Sequence, residues 1–167
     1  MPDTVAQPAP LVLPQPDQIS EREKEDAMGA YLMMFAAWGL GLPMPLLNLL
    51  AAVIYHMINR RKSPFVAFHS LQSLLTQVMV SLLNAGLIAW TIMLFSPRYD
   101  ANRYYFTYLV FVLLWNLGYM VFSIIACVQA RKGRFYYFWV FGRMAFAAHY
   151  GPRARRKPKD ERNLPPQ

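Results

Sequence analysis

The sequence predicts an all-α integral membrane protein. The expected architecture is a small bundle of four membrane helices, the first two a short Gly/Pro-broken hairpin, with both termini cytoplasmic. Three observations carry this. Of 167 residues 56% are apolar and only 16% are charged, against roughly 25% charged in soluble domains. The acids are segregated: none occurs from residue 27 to 99, and none between Asp100 and Asp160, so two long apolar stretches carry no carboxylate. The charge is concentrated at their ends, with a net −4 over 1–27, +3 over 60–62, +1 over 96–103 and +8 over 131–167.

Residues 1–27 hold Pro2, Pro8, Pro10, Pro14 and Pro16, then the charged run Glu21 to Asp26. This is too polar for a core and reads as a disordered Pro-rich acidic tail that ends in a short polar helix start. It lacks the basic region, apolar stretch and small-residue cleavage site of a signal peptide, so the first apolar segment is expected to be retained. That segment, 28–58, is broken in its middle by Gly39, Gly41, Pro43 and Pro45. As one helix it would be about 46 Å long, too long for a core of about 30 Å; as a hairpin each arm is about 22 Å, which keeps it shallow. Length does not choose between them. Four breakers in seven residues favour the hairpin, with helices over about 28–42 and 44–58, because backbone freed at a proline is tolerated where the chain turns at a polar surface.

Arg60, Arg61 and Lys62 form a basic stop, and Ser63-Pro64 is an N-cap and first-turn pair for a helix over 64–95. Ser96-Pro97-Arg98 ends it, and Tyr99, Tyr104, Tyr105 and Tyr108 form an aromatic belt at the start of a return helix over 104–130. Arg131, Lys132 and Arg134 stop that helix. Five consecutive aromatics, Phe135 to Trp139, begin an interfacial segment over 135–148, and 149–167 is a flexible basic tail. Thirteen Lys and Arg on the side of 60–62 and 131–167, against two in the loop over 96–103, place the former side in the cytoplasm. Arg60, Arg61, Lys62, Arg131, Lys132 and Arg134 are read as contacts to anionic lipid rather than to nucleic acid.

The chemistry-bearing positions form two stripes. On the helix from Pro64, His69, Ser70, Gln72, Ser73, Thr76, Gln77, Ser81 and Asn84 occupy half the circumference at about 100° per residue, opposite Leu71, Leu74, Leu75, Val78, Leu82 and Ala85. On the return helix Asn116, Tyr119, Ser123 and Cys127 follow at i, i+3, i+7 and i+11. Facing stripes serve as interhelical hydrogen bonds or as a polar pathway, and the former weighs more, because such contacts are common in bundles. Without a carboxylate they supply no acid–base pair, so no catalytic residue is nominated. His56 and His69 flank one turn and can approach each other, but with no third ligand they make a poor zinc site. Cys127 is a single buried thiol, and no metal or cofactor is expected.

One pattern resembles a known family. The basic turn followed by Ser63-Pro64-Phe65-Val66 and then Phe68-His69-x-Leu71-Gln72-x-Leu74 is similar to small bacterial membrane proteins related to the membrane subunit of the chloroplast inner-envelope import translocon, the Tic complex. Ala130, Lys132-Gly133-Arg134-Phe135 and then Phe141-Gly142-Arg143 resemble its second motif, with Phe138, Trp139 and Val140 where that family often has a proline. Plastid relatives serve preprotein translocation and other bacterial relatives the magnetosome membrane. The resemblance implies a four-helix domain with cytoplasmic ends and singles out His69 and Gln72. The expected function is therefore a non-enzymatic subunit of the bacterial inner membrane, a scaffold, assembly or translocation-type component that presents a polar helix face to partner helices or cargo. The alternative is a small oligomeric transporter or channel lined by the same face of helix 64–95.

Overall fold

Ser20 opens the first helix. Its hydroxyl accepts from the Glu23 amide at 3.3 Å while the Glu23 carboxylate accepts from the Ser20 amide at 3.0 Å, a reciprocal capping box that satisfies two otherwise orphaned donors. In the computed structural model of the chain, which describes residues 13–35 and 45–151 together with Asn163, helix α1 accordingly spans Glu21–Leu32. It starts seven residues ahead of the apolar run, because the capping box and first-turn acids favour its N-terminus. A 3-10 turn over Met33–Phe35 follows. The expected hairpin turn at Gly39 to Pro43 lies outside the described residues, as do 1–12 and all of the basic tail beyond Gly151 except Asn163.

Helix α2, Pro45–Asn59, returns antiparallel to α1. It starts against the 3-10 turn; further on the Tyr55 hydroxyl donates to the Asp26 carbonyl at 2.8 Å, and past its end Lys62 Nζ meets the Asp26 carboxylate at 2.8 Å. With 12 and 15 residues, α1 and α2 are about 18 and 22 Å long, short of a hydrocarbon core of about 30 Å.

Among the described residues two helices are long and apolar enough to cross a membrane: α3, Pro64–Met93, and α4, Arg103–Arg131. Of the four membrane helices expected, the described residues contain two candidate spans, with the shorter α1 and α2 beside them. Ser63 caps α3 by accepting from Val66 N at 3.3 Å, and Asn102 caps α4 by accepting from Tyr104 N and Tyr105 N at 3.0 and 3.2 Å. Only 17% of the apolar window of either helix is buried in the fold. A core helix of a soluble protein would be covered; these present rows of exposed Leu, Ile, Val and Phe, such as Leu82, Ile92, Leu113 and Leu117, which is a lipid-facing surface.

Burial is lopsided along both. The buried residues of α3 all lie between Phe65 and Ser81, and those of α4 between Val112 and Ala130. The hairpin's turn end, around Ser96 to Asn102, is bare, and the opposite end is wrapped by a helical base. In that base α1 packs Ala27 with Ala126 and Ala130 of α4 around Tyr31 and Phe65, small residues that let the backbones approach. After α4, Gly133 takes φ +68° and the Arg134 amide reaches back to Gln129 O at 2.9 Å, a left-handed reversal that a side chain resists. The chain then runs without helix or strand through residues 134–138, extended at Phe138, and returns as helix α5, Trp139–Tyr150. α5 packs Ala145 and Phe146 on Phe68 of α3. The described residues contain five α-helices and no strand.

Candidate functional site

The strap over 134–138 has no sheet partner, so its backbone groups need other partners wherever water is excluded. Two side-chain amides supply them. The Gln72 carboxamide, fully buried, donates from Nε2 to the Tyr136 carbonyl at 2.8 Å and accepts at Oε1 from the Phe138 amide at 3.2 Å, as a neighbouring strand would. Asn163 does the same three residues earlier: Oδ1 accepts from Phe135 N at 3.1 Å, while Nδ2 donates to Gly133 O at 3.1 Å and Pro14 O at 2.7 Å. It is 2% exposed, and it ties the Pro14–Gln15 segment to the strap.

The second Nε2 hydrogen of Gln72 goes to the Tyr31 hydroxyl at 2.8 Å, which uses both donors of the carboxamide. Because the Tyr31 oxygen accepts there, its own hydrogen is free to donate to His69 Nδ1, 2.9 Å away. This pattern assigns His69 as a neutral imidazole with its proton on Nε2. That Nε2 is buried, makes no hydrogen bond of standard geometry, and faces the Arg134 backbone. Phe65, Phe68 and Tyr31 present edge contacts to the imidazole at 4.5, 4.9 and 5.7 Å between centroids, and Phe135 stacks on it at 5.9 Å. Ser73 adds a bond to Ala30 O at 2.7 Å. The whole is a latch joining α1, α3 and the strap.

The remaining stripe residues pair along the α3–α4 seam. The Tyr119 hydroxyl donates to Gln77 Oε1 at 2.7 Å, and Asn84 and Asn116 exchange amide bonds at 3.1 and 3.2 Å. Thr76 turns inward on its own helix to Gln72 O at 2.8 Å. Ser123 is buried beside the seam next to the Tyr119 hydroxyl, with no hydrogen bond of standard geometry, and Cys127 packs half-buried on the base core. His56 and His69 do not join: His56 Nδ1 pairs with Ser70 Oγ at 2.8 Å. Among the described residues no group of three His, Cys, Asp or Glu side chains gathers.

Of the six basic residues assigned to lipid, two form ion pairs among the described residues. Arg131 meets Glu21 at 2.6 Å and Glu25 at 3.6 Å, and Lys62 meets Asp26 at 2.8 Å. Hydrogen bonds from Lys24 and then Arg131 hold the Glu21 carboxyl below its usual range. Arg60, Arg61 and Lys132 are exposed at the same end, and Arg134 is half-buried in the strap. Sequence reasoning missed Tyr31, Asn163 and the strap carbonyls. Tyr31 sits in a charged-to-apolar transition with no periodic signal, and Asn163 lies in a segment read as tail.

A pair of apolar candidate spans with most of their surface uncovered, held at one end by an amide-latched helical base, defines a helical membrane protein. The chain belongs to the magnetosome magnetite crystal formation protein family (MamF/MmsF), whose family model matches residues 24–145. No curated protein and no solved structure matches it. Membership in this family corrects the expected likeness to the Tic translocon, and with it the translocation role. The residues that carried that likeness are the Ser63-Pro64 cap and the latch residues His69 and Gln72, which encode how a helix starts and what it packs against rather than any handling of a passing chain.

Proposed function

We propose that the chain is a non-enzymatic scaffold or assembly subunit of the membrane in which magnetite crystals form, with its base and both termini cytoplasmic. The observation that carries this is the fate of the polar stripes. Gln77 is spent on Tyr119, Asn84 on Asn116, and His69 and Gln72 on the latch. The hydrogen-bonding capacity is directed inward, and the outer faces left for lipid or for partner helices are apolar. A solute pathway needs polar groups aimed into a lumen instead. The orientation rests on the basic ends of both spans lying with the base, where exposed Arg60, Arg61 and Lys132 meet anionic headgroups. The process is taken from the family's description.

The test uses the double variant Asn84→Leu/Asn116→Leu in a magnetosome-forming host whose own copy is deleted. Replacing both partners of a pair by apolar groups of similar size is close to neutral for packing, so a scaffold should support crystals of wild-type size and number by electron microscopy. Loss of crystals with the variant present in the membrane at wild-type level would refute the proposal and favour a small oligomeric transporter or channel lined by the polar face of helix 64–95.

A further inference from the structure

Beside the latch, a lateral groove of about 850 Å3 opens between α3, α4 and the strap with the start of α5. Met79 forms part of one wall, Trp115, Gly118 and Phe122 another, and Trp139 the rim. The two hydroxyls of the helix walls are already committed, Thr76 to Gln72 O and Tyr119 to Gln77, and the rest of those walls is Met, Phe, Leu, Trp and Gly, so the groove suits hydrocarbon rather than a polar solute. A Cβ at Gly118 would meet nothing within 4 Å, which makes that position open floor.

The dimensions point to one class of occupant. Along α4 the lining runs from Phe111 to Phe122, about 16 Å at 1.5 Å per residue. That is close to half of a hydrocarbon core of about 30 Å, the reach of one leaflet's acyl chain. The volume falls within the roughly 300–1,000 Å3 of small-ligand pockets, whereas a partner helix with its side chains is about 10–12 Å across. At the rim Trp139 is 92% exposed, and exposed Arg143 follows one turn later on the same face of α5. It lies toward the base, since α5 ends with Tyr150 against Phe135. An aromatic at the groove mouth and a cation one turn beyond match a glycerol backbone and a phosphate. We propose that this groove binds one acyl chain of an anionic glycerophospholipid, with the lipid phosphate held by Arg143.

The full chain is reconstituted in nanodiscs of equimolar dioleoylphosphatidylglycerol and dioleoylphosphatidylcholine, extracted in mild detergent, and weighed by native mass spectrometry. One phosphatidylglycerol should stay with each wild-type chain. Gly118→Leu, whose Cβ meets nothing within 4 Å and whose branch fills the open floor, should lose it, and so should Met79→Trp from the opposite wall; helical circular dichroism checks that both remain folded. Arg143→Gln should keep a phospholipid but lose about fivefold in its preference for phosphatidylglycerol over phosphatidylcholine, the amount one cation near a membrane surface contributes. Absence of bound lipid on the wild type, equal retention of the two lipids, or undiminished retention in both filled variants would overturn the proposal. So would a chain dimer in place of the lipid that both filled variants dissociate, since the groove would then hold a second copy.

Discussion

Replacing Gln72 by Leu isolates the contribution of the latch. The side chains are similar in size, so the variant opens little cavity; what it removes is three hydrogen bonds at a site with no exposure. The Tyr136 carbonyl and Phe138 amide then lack partners. Leaving a buried donor or acceptor unsatisfied costs about 1–3 kcal/mol each, so the two backbone groups together give about 2–6 kcal/mol, and the Tyr31 hydroxyl keeps its bond to His69. Denaturation of the detergent-solubilised protein should show a loss near the middle of that range. Native-state hydrogen exchange should show the Phe138 amide losing protection while the amides of α3 around Val80, a turn or more away, keep theirs. A stability loss under about 0.5 kcal/mol together with unchanged exchange at Phe138 would mean that the strap is not held by Gln72, and the latch would have to be abandoned as the element that fixes α5.

The seam makes a different prediction. Asn84→Leu alone strands part of the Asn116 amide and should destabilise by about 0.6–1.7 kcal/mol, the range of interhelical polar contacts in membrane bundles, while Asn84→Leu/Asn116→Leu should recover most of it in the same denaturation assay. At Gly142 an added Cβ would fall 2.7 Å from both Gln72 Oε1 and Tyr137 Cα, so Gly142→Ala should cost about 1–3 kcal/mol by overpacking and expose the Phe138 amide to exchange as Gln72→Leu does. The α1–α4 contact should be acid-sensitive. Glu21 has its folded-state pKa lowered by Lys24 and Arg131, so its stabilisation is present above the usual carboxyl value and is lost as pH falls through the lowered one. Protection of the α1 amides, taken against the intrinsic exchange rate at each pH, should therefore fall below about pH 4, less steeply in Glu21→Gln; an identical profile in the variant would refute the assignment.

Much of the framework is legible in local sequence. Ser63-Pro64 starts a helix because the hydroxyl serves the third amide and proline needs none, and the acid-free runs after it are long enough to cross a bilayer. Facing stripes at Gln77, Asn84, Asn116 and Tyr119 follow from helical periodicity, and the structure pairs them at that spacing. The count of membrane helices is less legible, since an apolar run interrupted by prolines measures composition and not how far each arm reaches. The family likeness shows the same limit: short motifs made of caps and packing residues recur where architecture is similar, and the wider match over 24–145 decides membership.

By itself the sequence determined how α3 starts and which helix faces are apolar, because caps, prolines and periodicity act within a few residues of one another. Only the tertiary structure decided what the polar residues do. Whether Gln72 lines a path or clamps a backbone depends on the strap 64 positions later in the chain that offers Tyr136 O, and whether Arg131 meets lipid or Glu21 depends on a helix 110 positions earlier. Hydrogen bonds and ion pairs are short-ranged, so their partners are set by how distant segments pack, and that information is spread over the whole chain rather than written at any one site.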